Sequence, residues 1–201
     1  MNDRGPLSVE QLDAVVDLMG RTGGGAVLPM QGESMVPLLR EGQLIAVDLS
    51  PVEPVIGDLL LYRQLDYLVV HRYLGPATRE DGHPTLRTRG DACLGLDPPL
   101  ERARVRGRVV AIEAQGRWWC LDGGGARAWA LGVALHDLFW AGVGVLARRC
   151  DALLGRLGVR GRTESWAARI DQFALRLGHG LLFRLLHRSG QDGPPGFTRP
   201  V

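Results

Sequence analysis

Between residues 8 and 20 the apolar positions Val9, Leu12, Val16 and Met19 recur every three or four residues, the spacing of one helix face. Ser8 and Gln11 suit a capping box at its start, Leu7 is placed to staple against Leu12, and Gly23-Gly24-Gly25 ends it. Glu10, Asp13 and Asp17 interrupt the stretch, which is too short and too polar to span a bilayer. From Ala26 to Asp122 the pattern changes to short apolar or alternating runs divided by Gly, Pro and Asp. It predicts strands at 26–30, 43–48, 58–64, 67–74, 84–89, 105–115 and 117–121. The 28 glycines and 12 prolines fit a chain with many turns.

A third regime follows Gly123-Gly124-Gly125, which reads as a hinge. Residues 126–149 are apolar around most of a helix, through Trp129, Leu131, Leu135, Leu138, Phe139, Trp140 and Val143, with His136-Asp137 at the centre. A central aspartate costs about 2.5–3.5 kcal/mol in a membrane helix, so this pattern leaves a span open. Residues 151–162 are rich in Gly and Arg and read as a connector. Residues 163–188 read as a second helix, with Trp166, Ile170, Phe173, Leu177 and Leu181 on one side and Arg169, Arg176, Arg184 and Arg188 between them. The pair fits either a helical hairpin packed on itself or on the strands, or a basic amphipathic element on an anionic membrane surface. The expected organisation is mainly β. It comprises an N-terminal amphipathic helix and glycine linker (1–25), a β-rich domain (26–122), a two-helix appendage (126–188) and a disordered tail (189–201).

Composition narrows the function classes. The 201 residues can bury one substantial core plus an appendage. With 45% hydrophobic residues and a mean hydropathy of −0.01, a multi-span membrane protein is not expected. A net charge of +2 is too small to argue for nucleic acid, and one clear helix in the first 25 residues is too little for a helix-turn-helix. Cys93, Cys120 and Cys150 lack metal-ligand spacing, and an odd count gives no disulfide framework, which favours a reducing compartment. No secretory signal is expected in residues 1–25. All 24 residues counted as Lys+Arg are arginine, so no lysine amine exists to act as a general base.

Within the β-rich stretch, Ser34-Met35-Val36-Pro37 is followed by His71-Arg72, then Gly90-Asp91 and Asp97. A serine hydroxyl becomes a useful nucleophile only beside a base that takes its proton. Neutral imidazole suits that task, and a carboxylate on the far ring nitrogen fixes its tautomer. Each residue also has an ordinary structural reading: serine favours turns and caps, and aspartate makes local bonds in Gly/Pro loops. His83, His136, His179 and His187 have no motif around them.

Six blocks in order resemble the signal peptidase families, specifically the branch that uses histidine in place of lysine. Gly32-Glu33-Ser34-Met35-Val36-Pro37-Leu38 resembles the nucleophile box. Glu41-Gly42-Gln43-Leu44-Ile45-Ala46-Val47 and Ile56-Gly57-Asp58-Leu59-Leu60 resemble two strand boxes. Val70-His71-Arg72 resembles the base box, Thr88-Arg89-Gly90-Asp91 with Asp97 the acidic box, and Gly107-Arg108-Val109-Val110 the closing strand. Together they cover roughly residues 26–122.

The resemblance implies a LexA/signal peptidase-like catalytic domain, here with a short N-terminal helix and a C-terminal helical hairpin. It implies Ser34 as nucleophile, His71 as general base and Asp97 as the orienting acid, with Asp91 in the same network. Backbone N–H groups around Gly32, Glu33 and Met35 would hold the oxyanion, because Gly32 stands where some relatives carry a hydroxyl. No cofactor or metal is implied. The partner would be a peptide or preprotein bound as an added strand, with an anionic membrane surface as a second partner of 126–188. The chain departs from the family's usual Lys-Gly-Asp-Asn at Arg89 and Ala92. Those departures, and the lack of the family's N-terminal membrane anchor, leave a non-catalytic peptide-binding module on the same scaffold as the alternative. Expected location is membrane-associated, peripheral or C-terminally anchored, or else cytoplasmic.

Overall fold

The computed structural model describes residues 9–21, 24–51, 53–65, 67–93, 95–156 and Gly193. The expected cap at Ser8 with its Leu7 staple, the connector from 157 and the helix at 163–188 lie outside these residues, as does the tail apart from Gly193.

The helix α1 spans Val9–Arg21. Its apolar face puts Val16 into the core, with Met19 packed beside it. Asp13, which interrupts the apolar pattern, is buried too. It accepts from Arg63 Nη1 at 2.9 Å and from Arg106 Nε at 2.9 Å, so its charge is compensated where it sits. Those bonds, Arg106 foremost, hold the Asp13 carboxyl below its usual range despite the burial.

Seven strands follow: β1 (Gly25–Pro29), β2 (Leu44–Asp48), β3 (Leu59–Gln64), β4 (Tyr67–Thr78), β5 (Pro84–Arg89), β6 (Val105–Ala114) and β7 (Arg117–Cys120). They form one antiparallel sheet in the order β1-β2-β6-β3-β4-β5. The long β6 pairs β2 along one side; on the other it pairs β3 through residues 105–108 and β7 through 111–114. Gln115 and Gly116 turn the β6–β7 hairpin, both with φ in the left-handed region. The protein is therefore mainly β, and each expected strand is present. β4 runs four residues further than its pattern predicts. Gly75-Pro76 reads as a breaker, but a register shift between Tyr73 and Gly75 absorbs it and pairing with β5 continues to Thr78.

Alternation along the central strands separates two faces. Leu59, Leu61 and Val70 join the main core with Met35, Leu38, Leu39, Ile45, Val47 and Ile112. Leu60, Tyr62, Tyr73, Leu86 and Leu100 form a second cluster on the other face.

The second helix, α2 (Gly124–Arg156), corrects two expectations. The glycines at 123–125 are no hinge: Arg127 N–H already bonds Gly123 O at 2.9 Å, and Ala126 is part of the main core with Trp129 packed against it. The helix also runs on through residues 151–156, expected as connector. It lies so close to the sheet that a Cβ on Gly57 would meet Ala130 C at 2.7 Å. Its central Asp137 is fully buried, with Oδ1 3.5 Å from Arg89 Nη1 of β5. The aspartate that left a span open is thus matched by a cation from the sheet. Among the described residues no helix is long and apolar enough to cross a membrane.

Candidate active site

Ser34 lies in the turn after β1, between two anchors. Met30 N–H bonds Gln43 O at 2.8 Å where the chain leaves and rejoins the sheet. Met35, Leu38 and Leu39 are buried and pin the turn from below, while Gly32 and Glu33 are exposed and Ser34 is half-buried. Gly32 has φ +79°, and the Val36–Pro37 peptide bond is cis. Val36 N–H bonds Glu33 O at 3.1 Å and Leu39 N–H bonds Met35 O at 2.9 Å, closing the turn on itself.

His71 is held in the middle of β4, opposite Leu60 of β3, and is buried. Its Nδ1 lies 2.7 Å from Asp97 Oδ2. Asp97 follows β5 on a segment that returns alongside that strand: Asp97 N–H bonds Thr88 O at 3.0 Å, and Leu86 and Leu100 exchange backbone bonds. Burial pushes the Asp97 carboxyl up, but the His71 bond and charge, with help from Thr88 and Tyr62, outweigh it and hold the group below its usual range. Asp97 is thus held toward its anionic form beside Nδ1 of the imidazole.

The other ring nitrogen faces the serine turn. A Cβ built on Gly90 would come 2.9 Å from His71 Nε2, 2.7 Å from Ser34 O and 2.9 Å from Cys93 Sγ. Nε2 and the Ser34 backbone therefore converge on one point, which only a residue without a side chain leaves open. Ala92 N–H also bonds Ser34 O, at 2.8 Å, tying the serine turn to the turn after β5.

Asp91 has a different place. Both of its oxygens accept from Arg72, Oδ1 from Nε at 2.9 Å and Oδ2 from Nη2 at 2.7 Å, and both side chains are buried. Arg72 neighbours His71 and so points to the opposite face of β4, where its guanidinium lies 5.2 Å from the Trp129 ring and donates to Gly57 O at 3.0 Å. The expected part for Asp91 at His71 is corrected accordingly: it fixes the turn that carries Gly90 by gripping Arg72. Arg89, directly opposite Arg72 in register, is matched separately, through Cys93 O at 2.7 Å and Asp137. Arg89 thus reaches α2 with its long fork.

Two residues at the site were given no role by the sequence. Tyr62 Oη donates to Asp97 Oδ2 at 3.1 Å and lies 3.2 Å from His71 Nδ1, its ring edge-on to the imidazole. Thr88 Oγ1 donates to Tyr62 Oη at 3.4 Å. Tyr62 is the diagonal neighbour of His71 across the β3–β4 pairing, a relation visible only once the register is known. Burial, with the Asp97 charge beside it, pushes the Tyr62 phenol far above its usual range, so it remains a donor. Burial likewise pushes the Cys93 thiol up. Among the described residues no group of three or more His, Cys, Asp or Glu side chains could hold a metal ion.

The arrangement can place a proton acceptor beside a serine turn with a carboxylate behind it. No family model, no curated protein and no solved structure matches this chain.

Proposed function

We propose that the chain is a serine endopeptidase of the signal-peptidase type, with a LexA/signal peptidase-like catalytic fold, that cuts a leader peptide or preprotein through an acyl-enzyme. The observation that carries this reading is the bridging position of His71: Nδ1 on Asp97, Nε2 toward the junction of Ser34 and Gly90. The absence of lysine from the chain leaves imidazole as the base, and the ordered sequence blocks support the same choice.

In this mechanism His71 Nε2 takes the Ser34 hydroxyl proton as Oγ attacks the scissile carbonyl. Backbone N–H groups of the Ser34 turn stabilise the oxyanion. The imidazolium, stabilised by Asp97, then gives its proton to the departing amine. Water repeats the sequence on the ester and releases the acid. β1 is an end strand of the sheet and runs directly into the Ser34 turn, which suits a substrate added along it.

The test is reaction with a fluorophosphonate and cleavage of a peptide library, in the wild type and in Ser34→Ala and His71→Ala. Loss of labelling in Ser34→Ala, and a drop in kcat/KM of roughly a thousandfold or more in either variant, is expected. Undiminished cleavage by His71→Ala would remove the base and with it the mechanism. Peptide binding with no cleavage and no labelling of the wild type would instead select the peptide-binding module.

A further inference from the structure

The imidazole of His71 has two hydrogen-bonding networks available at Nδ1, and they have opposite chemical consequences. In one, Nδ1–H donates to Asp97 Oδ2, 2.7 Å away, and Nε2 keeps its lone pair on the side of the Gly90 position that the Ser34 carbonyl also bounds. In the other, the Tyr62 hydroxyl, 3.2 Å from Nδ1, donates to a bare Nδ1, and the ring proton moves to Nε2. The second ring can accept no proton from a serine. With an anionic Oδ2 2.7 Å from Nδ1 the first network is favoured, and the Tyr62 hydroxyl strengthens or weakens that preference according to where it points its single hydrogen.

We propose that Tyr62 is a positioning residue: its hydroxyl, directed onto Asp97 Oδ2, holds the carboxylate against His71 Nδ1 and keeps Nε2 unprotonated. This rests on the reading of Ser34, His71 and Asp97 as a peptidase site. Three features fix the direction. Asp97 Oδ2 lies 3.1 Å from the hydroxyl and is anionic, so it attracts that hydrogen more than a neutral ring nitrogen does. Thr88 Oγ1 lies 3.4 Å from the phenol oxygen and donates to it, and the Thr88 hydroxyl also helps to hold Asp97 as an anion, so all three groups share one cluster. The two rings meet edge to face, with centroids 6.1 Å apart and planes at 73°, which limits rotation of the imidazole. Tyr62 is almost wholly buried, so water does not compete for its hydrogen. One carboxylate oxygen thus takes two donors, and each donor depends on it.

The arrangement makes Tyr62 helpful only while Asp97 is present. Remove the carboxylate, and the same hydroxyl turns to Nδ1 and stabilises the unproductive tautomer. The loss from Asp97→Ala is therefore partly inflicted by Tyr62.

The experiment combines 15N NMR of the histidine ring at about pH 8, where a free imidazole is neutral, with the rate of Ser34 modification by a fluorophosphonate. The wild type is expected to show His71 mainly protonated on Nδ1. In Tyr62→Phe that fraction falls, and the maximal inactivation rate drops roughly tenfold, the effect of one hydrogen bond, with the half-saturating probe concentration unchanged. In Asp97→Ala the ring is protonated on Nε2, and adding Tyr62→Phe raises the inactivation rate instead of lowering it further. Thr88→Val, which leaves Tyr62 in place, moves the tautomer and the rate in the same direction as Tyr62→Phe by less, and serves if the Phe variant does not fold. An unchanged tautomer and rate in Tyr62→Phe, or a double variant slower than Asp97→Ala, overturns the proposal. The NMR arm needs no turnover, so a wild type that resists the fluorophosphonate defeats the peptidase reading while the tautomer still reports on Tyr62.

Discussion

Gly90 is where the serine turn, the imidazole and the turn after β5 come together. Its Cβ position is bounded by the Ser34 carbonyl, the Cys93 sulfur and His71 Nε2, all under 3 Å away. The backbone carbonyl cannot swing aside without releasing the Ala92 bond that it accepts. Gly90→Ala is therefore expected to push the serine turn from the imidazole by a fraction of an ångström to an ångström. Displacements of that size cost roughly a hundredfold in rate. Fluorophosphonate labelling should slow by about that factor while the far-UV circular dichroism stays as in the wild type; labelling at the native rate would show that Ser34 and His71 do not meet at this point. Part of this residue-level geometry was legible in the sequence: it set His71 and Asp97 in one network, and their side chains do meet. Tyr62, Thr88 and the Arg72–Asp91 pair were not legible. Their roles depend on which residues oppose one another across β3, β4 and β5, and no single strand records its partner's register.

The elements were legible wherever local pattern and tertiary packing agreed. All seven strands follow from apolar runs punctuated by turn residues, and α1 from its single stripe. They were misread where packing overrides local signals. Gly75-Pro76 and Gly123-Gly124-Gly125 carry breaker chemistry, yet one sits within β4 beyond a bulge and the other opens α2. Asp13 belongs to the same class, a charge on the inner side of α1 that reads as polar interruption. Its bonds to Arg63 of β3 and Arg106 of β6 fasten α1 to two strands at once. Because folding lowers its pKa, chiefly through the Arg106 bond, the stabilisation it gives is present above the unfolded value near 4 and is lost as pH falls through the folded value. Asp13→Asn should cost about 1–3 kcal/mol at pH 7, as hydrogen bonds between charged groups do. Its stability should also decline less than the wild type's between pH 5 and pH 3. Urea titrations at the two pH values measure both, and parallel curves for the two proteins would rule out the clamp.

At the scale of the whole molecule, α2 acts as part of the domain that holds the site. Strand β4 sends His71 to one face and Arg72 to the other, and β5 sends Arg89 to the face that Arg72 shares. Two guanidinium groups directly opposite each other repel unless each has its own anion. Arg72 finds Asp91 within the sheet's own turn; Arg89 finds Asp137 on α2. The same helix lays Trp129 on Arg72 and Ala130 against Gly57, so its docking bears on β4 and on the turn before β3 as well. Arg89 also bonds Cys93 O, which links helix docking to the turn bearing Gly90. Breaking such a buried pair from one side leaves an uncompensated charge and costs about 3–5 kcal/mol, whereas replacing both partners by apolar residues of similar volume is often nearly neutral. Asp137→Ala should therefore destabilise the protein by about that amount and slow labelling of Ser34. Arg89→Met combined with Asp137→Leu should recover most of the stability, and less of the labelling, because the Cys93 bond is gone in the double variant as well. A double-mutant cycle with thermal unfolding and fluorophosphonate labelling separates the two quantities. If the double variant is as unstable as the sum of its parts, the ion pair does not couple the helix to the sheet. If it recovers labelling in full, the Arg89 grip on the turn has no part in placing Gly90.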